Sequence, residues 1–145
     1  MAYQKQNRRT QWNPIKIHFT DETYVSDADE VILELQDKNF TVGFGQDNRL
    51  TTSQLRNLLS LTSTIYTDVQ VHEVTDIIDK IAYLRVQFVY QSGRNQAVKK
   101  FVELANILDI LKQIQTKKDK ESVLRFCRYM EALVAYFKFY GGRDQ

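Results

Sequence analysis

The sequence predicts an all-α fold, a compact bundle of about five helices preceded by a flexible N-terminal arm. Its 145 residues are enough for one domain with a single core. One proline and five glycines are present, and none of them lies in residues 46–92 or 94–140. An all-β domain would need turn residues about every 8–12 positions. Apolar side chains in both stretches instead recur at intervals of three or four, which is typical of amphipathic helices.

Residues 1–25 are polar, contain Pro14 and show no sustained apolar period. They are predicted to form the flexible arm, and residues 26–142 a single helical domain. Four apolar side chains of the arm could dock on this domain as a short extended piece: Trp12, Ile15, Ile17 and Phe19.

The first helix is predicted over residues 28–35, with Ser26 or Asp27 as its N-cap and acidic residues in its favourable first turn. A β-hairpin is the alternative for this region, because apolar side chains alternate over residues 40–44. We predict the helix, followed by a loop over residues 38–48.

Thr51 and Gln54 have the spacing of a capping box, which predicts that the second helix begins here and runs over residues 52–67. Glycines are expected after a helix C-terminus. The remaining helices are predicted over residues 74–92 up to Gly93, from Val98 to Leu111, and over residues 121–140 before Gly141 and Gly142.

Charge is distributed unevenly along the chain, although its formal net value is only +2. Residues 21–37 contain seven acidic and no basic residues, so 20 basic and 11 acidic residues lie outside this acidic strip. A basic body with one acidic segment suits a protein that meets a polyanion on one side and a protein surface on another. The alternative is a solvated surface on which charges are scattered by chance.

The sequence predicts no metal site, no cofactor and no enzymatic activity. A single cysteine, Cys127, cannot form an intrachain disulfide, and two isolated histidines cannot complete a zinc site. Cys127 falls on an apolar arc and is predicted to be a packed thiol. An acid–base pair of His18 and His72 that cleaves RNA is the remaining enzymatic hypothesis, and no spacing supports it.

The N-terminus lacks the apolar core of a signal peptide, and no run of 18 apolar residues occurs in the chain. A membrane span needs about that length. We therefore expect a cytoplasmic protein with no membrane partner.

The last helix carries the sharpest pattern of basic residues. Arg125, Arg128 and Lys138 lie opposite a broad apolar arc, with alanines between them. Guanidinium groups match phosphate oxygens in geometry, and alanine adds no bulk, so an extended polyanion could approach this face. The alternative is a solvated face with an ion pair between Arg128 and Glu131.

Basic residues also flank two predicted helix starts, where backbone N–H groups favour anions. Arg49 and Arg56 flank the start of the second helix, and Arg94, Lys99 and Lys100 flank that of the fourth. Ordinary solvated helix starts are the alternative.

Arg85 lies within the apolar arc of the third helix, where an isolated charge would be costly. It is expected either to pair with Glu103 or Glu131, which we favour, or to face a partner where the apolar surface opens.

Three segments resemble the small subunit of type III-A CRISPR effector complexes, over about residues 28–142. Residues 126–142 (FCRYMEALVAYFKFYGG) resemble the family's closing helix. Residues 50–59 (LTTSQLRNLL) and 82–94 (AYLRVQFVYQSGR) are similar to one of its helix starts and to its central helix.

The resemblance implies a non-catalytic, CRISPR-associated protein of antiviral defence. Several copies would lie side by side along crRNA in a ribonucleoprotein and contact the backbone phosphates of crRNA and target RNA. Target cleavage would belong to the neighbouring backbone subunits, and DNA cleavage and cyclic oligoadenylate synthesis to the large subunit.

Carried over by position, the resemblance makes eight basic residues the candidates for RNA binding: Arg49, Arg56, Arg85, Lys99, Lys100, Arg125, Arg128 and Lys138. The alternative function is a helical scaffold, or a protein-interaction module that binds through the acidic strip, with no role in RNA binding.

Overall fold

The computed structural model describes residues 11–43 and 48–144, in which six helices form a bundle. The helices are α1 (Tyr24–Asp37), α2 (Thr52–Val71), α3 (Val74–Arg94), α4 (Gln96–Leu104), α5 (Ile107–Lys117) and α6 (Lys120–Phe139). The predicted all-α class is confirmed. Within the described ranges the only β pairing is one antiparallel bridge between Thr41 and Arg49, and the alternative hairpin is replaced by α1.

Helix α6 is the centre of the bundle because its apolar arc is wide enough to contact α1, α2 and α5. Phe126, Met130, Leu133 and Phe137 on this arc are at most 1% exposed. Helix α2 runs antiparallel to α6, since the amide of Thr52 at its start donates to the carbonyl of Arg143 beyond the end of α6, at 2.9 Å.

The capping box at the start of α2 forms as predicted. The backbone N–H of Gln54 donates to Thr51 Oγ1 at 3.2 Å, and the backbone N–H of Thr51 donates to Gln54 Oε1 at 2.9 Å. The helix continues to Val71, four residues beyond its predicted end.

The prediction of one helix from Val98 to Leu111 is wrong. Asn106 adopts a left-handed conformation (φ 59°) and separates α4 from α5. Asparagine tolerates this conformation better than most residues. Both of these short helices contact α3.

Gly93 does not end the third helix, contrary to prediction. It lies inside α3, and Asn95 separates α3 from α4 by accepting a 3.0 Å hydrogen bond from the Val98 amide. Asparagine is among the strongest N-cap residues, so the start of α4 sets this boundary.

The segment before α1 crosses the surface of the bundle in a non-helical conformation, and we call residues 12–21 the strap. Trp12, Ile15, Ile17 and Phe19 are half-buried and pack against the core, as the docking prediction expected. Residues 1–10 of the predicted flexible arm lie outside the described residues, and α1 already begins at Tyr24.

Two acids of α1 hold the strap. The Asn13 amide donates to Glu34 Oε2 at 2.8 Å, and the Phe19 amide donates to Asp27 Oδ2 at 2.9 Å. Both carboxylates are buried, which makes these bonds costly to break.

In the described part of the chain, no helix is both long and apolar enough to cross a membrane.

Candidate nucleic-acid interface

One end of the bundle brings together candidates from two distant parts of the sequence. The antiparallel packing places the first turns of α2, with Arg56, at the same end as Lys138 of α6. Both side chains are exposed, and neither forms an ion pair with another described residue. Arg49 is half-buried in the turn that leads into α2, where its backbone pairs with Thr41.

Arg128 is exposed on α6, and the expected ion pair with Glu131 is absent among the described contacts. Its charge therefore faces solvent without a carboxylate partner in the described chain. The guanidinium can donate two parallel hydrogen bonds to the oxygens of a phosphate.

Arg125 does not share this open face, although the helical spacing placed the two arginines together. Its side chain is 18% exposed, and Nε donates to Asp21 Oδ1 at 2.9 Å. Its guanidinium also lies over the ring of Phe19, 5.3 Å from the centroid. Helix α6 thus presents one open arginine and one held by the strap.

The start of α4 carries Lys99, which is exposed, and Lys100, which is half-buried. Lys100 Nζ lies 3.6 Å from Glu103 Oε2 and 5.3 Å from the centroid of the Trp12 ring. Lys100 is therefore partly occupied by the strap and by its own helix, whereas Lys99 is open.

Arg85 is half-buried between α3 and α5 and forms neither of the predicted ion pairs. Nη1 donates to the amide oxygen of Gln115 at 3.3 Å, while Glu103 and Glu131 bond elsewhere or face solvent. A neutral acceptor satisfies one donor and leaves the charge uncompensated, so the charge must reach water or a partner at the edge of α3.

The acidic strip is largely used within the molecule. Five of its seven carboxylates bond to described groups: Asp21, Asp27, Asp29, Glu34 and Asp37. They hold the strap and Lys38 and, through the Tyr140 hydroxyl at 2.6 Å from Asp29, the end of α6. The hydrogen bond to Asp29 raises the pKa of Tyr140. The strip is an internal fastening, which weakens the alternative of an acidic docking surface.

Sequence reasoning missed Lys38, whose Nζ lies 3.1 Å from Glu34 and 2.9 Å from Asp37. Burial lowers the pKa of Lys38, but the bonds to Asp37 and Glu34 outweigh it and raise the pKa overall. The same ammonium lies 5.3 Å from the Trp12 ring, so Trp12 contacts both Lys38 and Lys100. The spacing of four between Glu34 and Lys38 was the available signal.

Cys127 is buried, as predicted for a packed thiol, and its Sγ donates to the Thr62 carbonyl at 3.9 Å. Burial, with a smaller contribution from the charge of Glu131, raises the pKa of Cys127 to about 12.

His18 and His72 line two different cavities, and no cluster of three potential metal ligands occurs in the described ranges.

Comparison with known proteins identifies a family for this chain. Residues 30–143 match the family model described as Csm2 Type III-A. A Streptococcus thermophilus protein named CRISPR system Cms protein Csm2 is 52% identical over 129 residues, which cover 86% of this chain and 97% of that protein.

Proteins with the same name from two other bacteria are also similar. The Mycobacterium tuberculosis (strain CDC 1551 / Oshkosh) protein is 48% identical over 100 residues, covering 66% of this chain and 79% of its own length. The Enterococcus italicus protein is 44% identical over 97 residues, covering 64% and 69%. The chain belongs to the Csm2 type III-A family.

Proposed function

We propose that this protein is a non-catalytic small subunit of a type III-A CRISPR effector complex and binds the backbone phosphates of crRNA and target RNA. The observation that carries the proposal is the set of exposed bases on α2 and α6 without carboxylate partners in the described chain: Arg56, Arg128 and Lys138. Such cations contribute little to the fold, whereas each can neutralise a phosphate.

Lys99, at the start of α4, is a further exposed base without a carboxylate partner in the described chain. Arginine and lysine contacts to phosphates position an RNA without reading its sequence. A subunit that lies along guides of any sequence needs contacts of this kind.

Catalysis is assigned to the other subunits of the complex. The single thiol is buried, and with a pKa of about 12 it is protonated at neutral pH and is not a nucleophile. The protein is proposed to act in the cytoplasm, beside the backbone subunits, the large subunit and further copies of itself.

The test is target-RNA binding by complexes reconstituted from the full chain, the other subunits and a guide RNA. In the test variant, Arg56, Arg128 and Lys138 are changed to Gln. A charge-matched control changes Lys16, Lys112 and Lys118 to Gln; these are exposed bases outside the candidate set that form no ion pair with a described residue.

We expect the test variant to bind target RNA at least about tenfold more weakly than the control, because each charged hydrogen bond contributes about 1.5–3 kcal/mol. Equal affinity in a complex that assembles normally would contradict RNA binding by this surface. That result would favour the helical scaffold.

A further inference from the structure

Arg125 and Asp21 form a clasp between α6 and the strap that is asymmetric in burial. The Arg125 side chain is 18% exposed and the Asp21 side chain 74% exposed. The guanidinium is therefore fixed in place, while the carboxylate can leave it for water. Only Nε is bonded to Asp21, and among the described residues the two terminal nitrogens of Arg125 have no hydrogen-bond acceptor. A guanidinium can donate five hydrogen bonds, so this one retains donors for an anion.

A cavity of about 250 Å³ opens beside this clasp, between the strap, α5 and α6. His18 and Thr20 line it from the strap, Lys117 from α5, and Ser122 and Arg125 from α6. No carboxylate is among its lining residues. Among the described residues, the exposed Asp21 is the only carboxylate bonded to either Lys117 or Arg125. Two basic side chains in a concave site therefore attract an anion once Asp21 leaves.

The walls of this cavity do not depend on the clasp. The strap is held next to it by the bond from the Phe19 amide to Asp27, which is 2% exposed. At its other end, Asn13 donates twice to Glu34, at 2.8 and 3.3 Å. Loss of the bond between Asp21 and Arg125 would therefore free the guanidinium while the strap stays in position.

We propose that this cavity binds a phosphate group of the RNA backbone, and that the Asp21 carboxylate competes with this phosphate for Arg125. The inference rests on the proposed function and adds a site and its built-in competitor. An exposed ion pair contributes little to stability, so a phosphate with several donors around it can displace Asp21. Asp21 thus lowers the affinity of the protein for RNA, and replacing Asp21 strengthens RNA binding.

Asp21→Asn tests this directly, because it removes the competitor and leaves all donors in place. Glu22→Gln is the matched control: Glu22 is the adjacent acid, is exposed, and has no described partner. Both variants change the net charge equally, and both positions lie within three residues of the start of α1. The assay is target-RNA binding by reconstituted complexes.

We expect Asp21→Asn to tighten binding about two- to fivefold beyond Glu22→Gln, which is the range of one exposed ion pair. In an Arg125→Gln background the same substitution should produce no further gain. An equal effect of Asp21→Asn and Glu22→Gln, or a gain that persists without Arg125, would overturn the proposal. Thermal melting of each free variant checks that the fold is intact.

Two further arms separate the possible sources of failure and of phosphate. If the variant lacking Arg56, Arg128 and Lys138 binds RNA normally, the proposed function fails; if it is weakened while Asp21→Asn matches its control, only this inference fails. The gain from Asp21→Asn should be no larger in phosphate than in chloride buffer of matched ionic strength, because free phosphate competes with the RNA for the same donors. A gain that appears only when phosphate is present would show that free phosphate occupies the cavity, and would overturn the assignment to RNA.

Discussion

The hydroxyl of Tyr129 donates a 2.9 Å hydrogen bond to the carbonyl of Ala105. This bond joins the middle of α6 to the residue that follows the last residue of α4. Both residues are fully buried, so the carbonyl freed by the break at Asn106 has no access to water. Burial raises the pKa of Tyr129, which keeps the hydroxyl protonated and able to donate. The break between the helices and the buried tyrosine therefore depend on each other.

Tyr129→Phe should lower the free energy of unfolding by about 1–3 kcal/mol, because it leaves the Ala105 carbonyl buried without a donor. Tyr83→Phe is the control, since Tyr83 is 62% exposed. Urea unfolding of the two variants measures the difference. A loss no larger than that of the control would show that water replaces the hydroxyl.

Two glycines should respond in opposite directions to alanine substitution. A methyl group at Gly142 would overlap the ring of Phe137, which is fully buried. At Gly93, inside α3, no atom lies within 4 Å of an added methyl group. Gly142→Ala should destabilise the protein by about 1–3 kcal/mol, and Gly93→Ala should stabilise it by about 0.5–1 kcal/mol. Thermal unfolding of the two variants checks both signs, and a shift in the same direction would contradict the packing described.

Replacing Lys38 by Met should lower the free energy of unfolding more than replacing Arg85 by Met. Lys38→Met leaves the buried Glu34 carboxylate without its ammonium and should cost about 3 kcal/mol. Arg85→Met abandons only a neutral amide and should cost less than about 1.5 kcal/mol. Chemical unfolding distinguishes them. Equal losses would mean that Arg85 has a carboxylate partner in solution.

Cys127 should make the free energy of unfolding fall as the pH becomes alkaline. The pKa of the thiol is about 8.5 in the unfolded chain and about 12 in the fold. Its contribution is therefore fully present below the unfolded pKa and is lost as the pH rises towards the folded one. Between about pH 8 and about pH 10, the wild type should lose about 1–2 kcal/mol more than Cys127→Ala. Parallel losses in urea unfolding would show that the thiol is accessible to water.

The sequence predicted a helix boundary correctly where neighbouring residues fix that boundary. The reciprocal bonds of Thr51 and Gln54 fix the start of α2, and both belong to one short motif. The break at Asn106 has only a weak local signal, a single asparagine within a helical apolar pattern. The break leaves the Ala105 carbonyl without a partner from its own helix, and Tyr129, far along the chain, donates to it. Tertiary packing overrides helix propensity at such positions.

The candidate site was predictable as a set of bases, but not which of them are open. Helical spacing put Arg125 and Arg128 on one polar face. Asp21, 104 positions away, occupies the first and leaves the second free. Contacts at such separations depend on how the strap crosses the bundle, which periodicity does not reveal.

Salt dependence of target-RNA binding tests the central claim most directly. Log affinity should fall linearly with log salt concentration, with a slope of about −0.7 for each phosphate neutralised on a single strand. For two unrelated guides, changing Arg56, Arg128 and Lys138 to Gln should make the slope shallower by about 2. The control with Lys16, Lys112 and Lys118 changed should keep the wild-type slope. An unchanged slope in the folded test variant, for both guides, would contradict phosphate binding by α2 and α6.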